Sequence, residues 1–383
     1  MPRRLRWRLA IACVLVLTGR ATAGLPQLIE LTTSSGPLFG KSVIHNDKVC
    51  WMAERDGTLH EVPIATIERV QKVSDRFRAY SVAEMRDLLR REARDGMEVT
   101  AVGRYVVSAP KGTAERYAKI LDDTHTAFSQ FFSRRNFQLD PLEFPLVVRV
   151  FPSRLDFIAY ATSLQISVPD SLVGFYHRRT NQIALFAEQA TLGGTVLARP
   201  VSAALGGTRS GASDIHQATI DTLIHEAIHQ LAFNTGLHSR IGDPPRWVVE
   251  GLAMLLEEES SRTDSRNGPA SLRMNRSRFI RFMNYREQRR PAKHLSEFVT
   301  SGASFEGLPL DEYAEAWALS FYLFETRPSE YSRYLRTTAA RDPLSSYDAA
   351  TRLADFEAAF GKDLDRLEAQ YLTFIQRLEN SPR

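Results

Sequence analysis

The sequence predicts an α+β protein with a small N-terminal β module, a lobe that contains a mixed β-sheet, and a helical C-terminal lobe. Short runs of alternating apolar and polar residues occupy residues 24–75, which is typical of antiparallel strands. Strand and helix patterns alternate over residues 81–213, and helical periodicity dominates residues 214–383. The 383 residues are enough to bury the cores of two or three domains.

Residues 1–23 have the pattern of a secretory signal peptide. Arginines within the first eight residues precede an apolar run from Leu9 to Leu17, and the small residues Ala21 and Ala23 follow it. This run is too short to span a bilayer, and no later segment is apolar for the roughly 20 residues that a membrane-spanning helix needs. We therefore expect an exported protein, periplasmic or extracellular, without an integral membrane span.

The charge balance gives no electrostatic reason to propose a nucleic acid as partner. The chain has 49 basic and 45 acidic residues, but five arginines lie in residues 1–23, which leaves 44 basic against 45 acidic residues. Cys50 is the only cysteine outside that segment, so no intramolecular disulfide is expected after cleavage. Stability must then come from core burial or from a metal.

The predicted β module contains turn signals such as Asn46-Asp47 and Asp56-Gly57 between its strands. Ser81 and Glu84 then form a capping box ahead of a helix over residues 82–94. The module could recognise a ligand or a cell-envelope polymer, or it could serve packing and folding. Its sequence favours neither role.

The lobe over residues 81–213 alternates strand and helix signals. Its last two strands are separated by the turn-like residues 178–181, and a loop rich in small residues, 192–213, leads to the next helix. The predicted elements are a strand at 98–109, a helix at 113–133, a buried strand at 146–152, and strands around Tyr176 and at 182–186.

The C-terminal lobe is predicted to consist of helices. The first begins with a capping pair, Asp214 and Gln217, and its geometry puts His216 on an exposed side. The arginines of residues 273–290 are expected to form a solvated basic face of an amphipathic helix. The predicted helices cover residues 214–235, 245–258, 272–288, 311–326, 329–339 and 355–379.

The motif HEAIH, at residues 225–229, lies inside the first of these helices. His225 and His229 are one turn apart, so both imidazoles can reach one zinc ion, while Glu226 projects beside them. A catalytic zinc takes three protein ligands and keeps one position for water, so this motif supplies two of the three. Glu226 is placed to act as a base toward that water.

Glu250 is the predicted third ligand. It lies 21 residues after His229, which is enough for a loop and a reversed helix, and Gly251 would allow close helix packing there. The metzincin extension needs glycine and histidine where this chain has Ala232 and Thr235, so that subclass is excluded.

HEAIH and the later WVVEGLA resemble the matching segments of the gluzincin metallopeptidases, the thermolysin-like group. The resemblance is strongest over residues 214–257, extends loosely over about residues 85–335, and points most to an uncharacterised branch of bacterial exported gluzincin-like proteins. It implies a zincin-like domain over residues 81–383 that binds one Zn²⁺ ion. The residues it implies are His225, His229 and Glu250 as ligands and Glu226 as general base.

The chain departs from that pattern at Met254, where thermolysin has an acid that holds a zinc-bound histidine. Glu257 lies on the same helical face and is a possible substitute. Its place in the acidic run Glu257-Glu258-Glu259 favours a solvated surface residue instead.

Peptide hydrolysis also needs a donor for the oxyanion that develops on the carbonyl oxygen. We predict Tyr313 in this role, because related enzymes often carry a tyrosine at the start of such a C-terminal helix. The aromatic residues around it favour a core position almost equally. Tyr322, His238 and His294 are the alternatives.

These observations predict a zinc metallopeptidase that acts on a peptide or protein substrate, with strand 182–186 as an edge along which an extended peptide binds. Two alternatives stay open. One is a noncatalytic zinc-stabilised binding protein, and the other is a zinc hydrolase of a non-peptide amide or ester.

Overall fold

The computed structural model describes residues 26–187, 216–258, 268–301 and 309–379. Within these ranges the protein is α+β, as predicted, with an N-terminal antiparallel sheet, a mixed sheet and a helical C-terminal region. The predicted signal peptide and the predicted loop at 192–213 lie outside the described residues. None of the helices in these ranges is long and apolar enough to cross a membrane.

The N-terminal module is a five-stranded antiparallel sheet. Its strands are β1 (Leu28–Thr33), β2 (Gly36–His45), β3 (Val49–Ala53), β4 (Leu59–Pro63) and β5 (Ile67–Ser74). Their order is β4-β3-β2-β1-β5, so the first and last strands of the module pair with each other. Leu31, Cys50 and Met52 are fully buried in its core, where the cysteine packs as a small apolar side chain.

A helix and a second sheet follow the module. Helix α1 (Val82–Glu92) begins with the predicted capping box, in which Ser81 Oγ accepts the N–H of Glu84 and Glu84 Oε2 accepts the N–H of Ser81. The second sheet has the order β6-β7-β8-β10-β9, with β7, β8 and β10 parallel. Its strands are β6 (Met97–Val102), β7 (Tyr105–Pro110), β8 (Leu146–Phe151), β9 (Gly174–His177) and β10 (Gln182–Phe186).

Two predictions about this sheet are wrong. The single strand predicted at 98–109 is a hairpin of β6 and β7, because the chain turns at Gly103. Gly103 has a φ of 55°, and a Cβ at this position would clash with Asp122 Oδ1, so the turn requires glycine. The strand at 182–186 is not an edge, since β10 lies between β8 and β9. Of the described strands, β9 forms that edge.

The helices after α1 are largely where periodicity predicts them. The region predicted as one helix at 355–379 is two helices, because Gly361 has a φ of 100° and separates them, and the sequence pattern predicts neither α3 nor α7. Their bounds are α2 (Ala114–Ser133), α3 (Arg154–Ser163), α4 (Gln217–Asn234), α5 (Arg246–Leu255), α6 (Arg276–Gln288), α7 (Leu295–Thr300), α8 (Pro309–Thr326), α9 (Pro328–Ala339), α10 (Ala349–Phe360) and α11 (Leu364–Glu379).

One hydrophobic core joins the mixed sheet to the helical region. It contains apolar residues of β7, β8 and β10 together with those of α2, α4, α5 and α8, including the fully buried Trp247 and Trp317. Helix α4 packs against β9 and β10 on one side and against α5 on another. This packing brings the HEAIH motif, strand β9 and Glu250 to one place.

Candidate metal centre

Helix α4 carries HEAIH well inside its ends, as predicted. Its N-cap is His216, which is exposed and whose Nδ1 accepts the N–H of Ala218 at 3.3 Å. Asp214, the predicted cap, lies outside the described residues. The position of the motif two turns from the helix start keeps both histidines in regular helix, where their relative geometry is fixed.

Three ligand atoms form a triangle at this point. His225 Nε2 lies 3.0 Å from His229 Nε2, and Glu250 Oε2 lies 3.5 Å from the former and 3.4 Å from the latter. Zinc–ligand bonds of about 2.0–2.1 Å in a tetrahedral arrangement require ligand atoms about 3.3 Å apart. The three observed separations lie close to that value.

Helix α5, which carries Glu250, packs very closely on α8. A Cβ added to Gly251 would lie 2.0 Å from Ser320 Oγ and 2.5 Å from the carbonyl oxygen of Ala316. Only glycine permits this approach, which confirms the predicted role of Gly251 in helix packing.

Glu250 Oε2 is buried and makes no hydrogen bond to the described residues. Burial alone would raise the pKa of Glu250, but the positive charges of His229 and His225 outweigh it and hold the pKa below its ordinary value. A buried carboxylate oxygen without a donor is costly, and a cation inside the triangle would satisfy it. The two histidines and one glutamate therefore fit Zn²⁺ in both geometry and donor type.

Glu257 orients His225, so the prediction that it is a solvated acid is wrong. Its Oε1 lies 2.9 Å from His225 Nδ1, and its side chain is only 19% exposed. Met254, at the position where thermolysin has an acid, is fully buried in the core. The carboxylate that orients a candidate ligand histidine thus comes from a residue three positions after Met254.

The start of α6 holds Glu257 in turn. Asn275 Nδ2 donates to Glu257 Oε2 at 2.7 Å while its Oδ1 caps the helix, and Arg278 Nη2 donates to Glu257 Oε1 at 3.3 Å. Burial would raise the pKa of Glu257, but the charge of Arg278 and the contact with His225 lower it to about 2. Glu257 is therefore an ionised acceptor at neutral pH.

The expected solvated basic face of residues 273–290 is only partly present, because Arg276 and Arg289 are exposed but two other arginines of the segment are buried against carboxylates. Arg273 is buried and forms a bidentate pair with Glu325, at 3.0 and 2.6 Å, and Arg290 is buried against Glu315 at 2.8 Å. These arginines bind carboxylates of α8 rather than water.

Glu226 lies on the adjacent face of α4 and is bound to strand β9. Its Oε2 accepts the backbone N–H of Tyr176 at 2.7 Å. Burial raises the pKa of Glu226, although the charges of His225 and His229 and the bond from Tyr176 act in the opposite direction. The carboxylate is fixed in one orientation beside the triangle.

Tyr313 is near the centre, whereas two of its alternatives have partners elsewhere. Burial, with the charges of Glu250 and Glu226, raises the pKa of Tyr313 to about 12, and its hydroxyl accepts a hydrogen bond from Arg246 Nη2 at 3.4 Å. Tyr322 donates to Gln370, and His294 faces Glu297 and Glu315.

His238, the third alternative, is 2% exposed and packs on Phe233. Burial, together with the charge of His229, lowers the pKa of His238 to about 3. Its imidazole is therefore neutral at physiological pH.

Three contributors to this centre are missing from the sequence prediction: the N–H of Tyr176 and the side chains of Asn275 and Arg278. Asn275 could have been identified as a helix cap, because it directly precedes an apolar-periodic segment. However, the sequence pattern of a helix cap does not predict which carboxylate accepts the hydrogen bond from the side-chain NH₂ group of Asn275. A backbone N–H leaves no signal in the sequence at all.

Comparison with known proteins identifies one matching family, and that family has no assigned activity. Residues 219–345, about a third of the chain, match the model of a family described as a protein of unknown function, DUF1570. No curated protein matches the chain. The matched segment contains the three candidate ligands, Glu226 and Tyr313, and it excludes the β module and the mixed sheet. A function therefore has to be inferred from the chemistry of the site.

Proposed function

We propose that this protein is an exported zinc-dependent metallopeptidase that hydrolyses peptide bonds. The observation that carries the proposal is the position of Glu226 beside the triangle of His225, His229 and Glu250. Three protein ligands leave one coordination position for water, as in catalytic zinc sites, and a fixed carboxylate stands next to that position.

Zinc, when bound, would lower the pKa of a water molecule in its open position and polarise a substrate carbonyl. Glu226 supplies the proton transfer. Its Oε2 is held by Tyr176 N–H, which leaves Oε1 to accept a proton from the attacking water and to deliver it to the leaving amine nitrogen. Burial raises the pKa of Glu226 above its ordinary value, which favours its role as a base that afterwards acts as an acid.

Tyr313 is the proposed oxyanion donor. A pKa of about 12 keeps its hydroxyl protonated at neutral pH, and Arg246 donates to its oxygen. That donation polarises the O–H bond and makes the hydroxyl a better donor to a developing negative charge.

Strand β9 is the proposed platform for the substrate. It is an edge of the described mixed sheet, and Tyr176 of this strand is directly bonded to Glu226. An extended peptide that pairs with β9 would therefore pass beside the centre.

The test is metal analysis and a peptide-library assay on wild type and Glu226→Gln. Glutamine keeps an oxygen for Tyr176 N–H but cannot accept the proton, so we expect zinc to be retained and kcat to fall by about 10²- to 10⁴-fold. The matched control is Asp221→Asn, which amidates a carboxylate on the same helix that contacts Gln217. Equal activity of Glu226→Gln, or no metal in a folded preparation, would refute the proposal.

The same experiments separate the two alternatives. A noncatalytic zinc-stabilised protein would lose thermal stability on chelation and cleave no peptide. A hydrolase of another amide or ester would be inert toward the library but active on those substrates. Export is tested by the N-terminal sequence of the mature protein, which should begin at residue 24.

A further inference from the structure

Helix α4 presents a polar stripe to the hairpin of β9 and β10. Glu226, Gln230 and Asn234 recur every four residues and so lie on one face. Glu226 accepts the N–H of Tyr176, as described above. Gln230 Nε2 donates to the carbonyl oxygen of Asn181 at 2.7 Å, and the side-chain amides of Asn234 and Asn181 bond to each other at 2.7 and 3.0 Å.

Asn181 fixes the position of the β9–β10 turn relative to α4. It closes the hairpin turn with a φ of 59° and is only 1% exposed, and its Oδ1 also accepts the hydroxyl of Tyr176 at 2.9 Å. A buried amide loses these bonds if it moves, and each unsatisfied group is costly. The turn and the edge strand are therefore held in register with α4.

Arg240 binds backbone carbonyl groups of the same turn. Its guanidinium donates to the carbonyl oxygens of Arg178 at 2.7 Å and of Arg179 at 3.1 Å. It also donates to the carbonyl oxygen of Gly57, in the β module, at 2.7 Å. Arg178 in return donates to the carbonyl oxygen of Gly242 at 2.9 Å. Arg240 thus joins the turn, the segment after α4 and the β module.

The β module makes further contacts with the turn. Leu59 N–H donates to the carbonyl oxygen of Arg179 at 2.7 Å, the Arg179 guanidinium lies 5.4 Å from the ring of Trp51, and Glu61 pairs with it at 3.3 Å. Trp51 and Leu59 belong to an apolar cluster with Phe144 of the main body. The module is therefore docked on the turn through backbone, charge and apolar contacts together.

We propose that Arg240 is a positioning residue and that the β module, through it, is part of the catalytic unit. The module and Arg240 fix the turn, the turn fixes β9, and Tyr176 N–H of β9 fixes the carboxylate of Glu226. This inference rests on the proposed function where it concerns Glu226. It assigns the module a role in the geometry of the site, in place of an independent ligand-binding role.

The test compares Arg240→Gln, Arg240→Lys and the control Glu143→Gln. Glu143 pairs with Lys41 of the module at 2.6 Å and is 43% exposed, so its variant removes one surface ion pair and leaves the bonds of Arg240 to the turn in place. Amide exchange of peptides that cover 174–177 and 217–234 is followed by mass spectrometry, with kcat, KM and zinc content measured on the same samples.

For Arg240→Gln we expect exchange at 174–177 to rise about tenfold while 217–234 and zinc content stay unchanged. We expect kcat to fall about tenfold to a hundredfold with KM changed less, because the base is misplaced. Arg240→Lys, which can bond one carbonyl, should lie between this variant and wild type. Glu143→Gln should match wild type in exchange at 174–177 and in kcat.

Unchanged exchange at 174–177 in Arg240→Gln would overturn the inference, and so would faster exchange with wild-type kcat. If Arg240→Gln does not fold, Arg240→Lys decides in the same way, since wild-type exchange and kcat in that variant would contradict the role of Arg240. If wild type cleaves no substrate, the proposed function fails, and the exchange comparison still decides whether the module and Arg240 hold β9.

Discussion

Replacing Glu257 with glutamine tests how strongly the proposed binding of Zn²⁺ depends on the groups around the candidate ligands. Glu257 accepts hydrogen bonds from His225 Nδ1, Arg278 Nη2 and Asn275 Nδ2, among its contacts. A glutamine has one oxygen and one NH₂ group in place of two oxygens. In one orientation its NH₂ group faces the NH₂ group of Asn275, and in the other it faces the donors of His225 and Arg278, so a donor meets a donor in either case. Asn275 cannot simply turn over, because its Oδ1 caps α6.

The expected loss follows from these contacts. A hydrogen bond to a charged group contributes about 1.5–3 kcal/mol, and the variant loses at least one acceptor for such a bond. Loss of an outer partner of a ligand histidine costs about 10- to 100-fold in metal affinity, which corresponds to about 1.4–2.7 kcal/mol. The two ranges agree, so Glu257→Gln should raise the Kd for Zn²⁺ by about 10- to 100-fold.

The assay is competition for Zn²⁺ with a chelating indicator at neutral pH, on wild type, Glu257→Gln and Glu287→Gln. Glu287 is an exposed residue of α6, so its variant makes the same chemical change on a helix that also carries Arg278. Its Kd should equal that of wild type. A Kd for Glu257→Gln within about threefold of wild type, in a folded protein, would refute the argument that Glu257 orients His225.

Two further predictions concern α5 and α8. Tyr313→Phe should retain zinc and lower kcat by about 10²- to 10³-fold, measured by steady-state kinetics, because it removes one donor to the oxyanion; a variant as active as wild type would exclude Tyr313 from that role. Gly251→Ala should lower the free energy of unfolding by about 1–3 kcal/mol in urea titrations, because the new Cβ would lie 2.5 Å from the carbonyl oxygen of Ala316. An unchanged urea midpoint would contradict this account of the α5–α8 contact.

The parts of the site that could be predicted from sequence are those that depend on local periodicity. His225 and His229 meet because one helical turn separates them, and Glu226 follows from the same geometry. Glu250 could be predicted because it follows His229 by 21 positions, and the 20 residues between them allow little more than a loop and a reversed helix. The structure brings these four residues together as the spacing predicts.

The parts that could not be predicted depend on contacts between distant segments. Glu257 stands in an acidic run that is typical of a solvated surface, and its partners Asn275 and Arg278 follow it by 18 and 21 residues. The edge of the mixed sheet was missed because strand order is set by the pairing of β10 with β8, which no local pattern encodes.

The two networks at the centre reach α4 from different directions and act on neighbouring residues. His225 is oriented by Glu257 and the start of α6, whereas Glu226 is oriented by β9 and, through the turn, by Arg240. Successive residues on a helix point about 100° apart, so the two supports need not share a side chain. A weakened first network should therefore appear as lower zinc affinity, and a weakened second network as lower kcat at full zinc occupancy. Such a separation is expected only if the ligand and the base are positioned independently, as the contacts around α4 indicate.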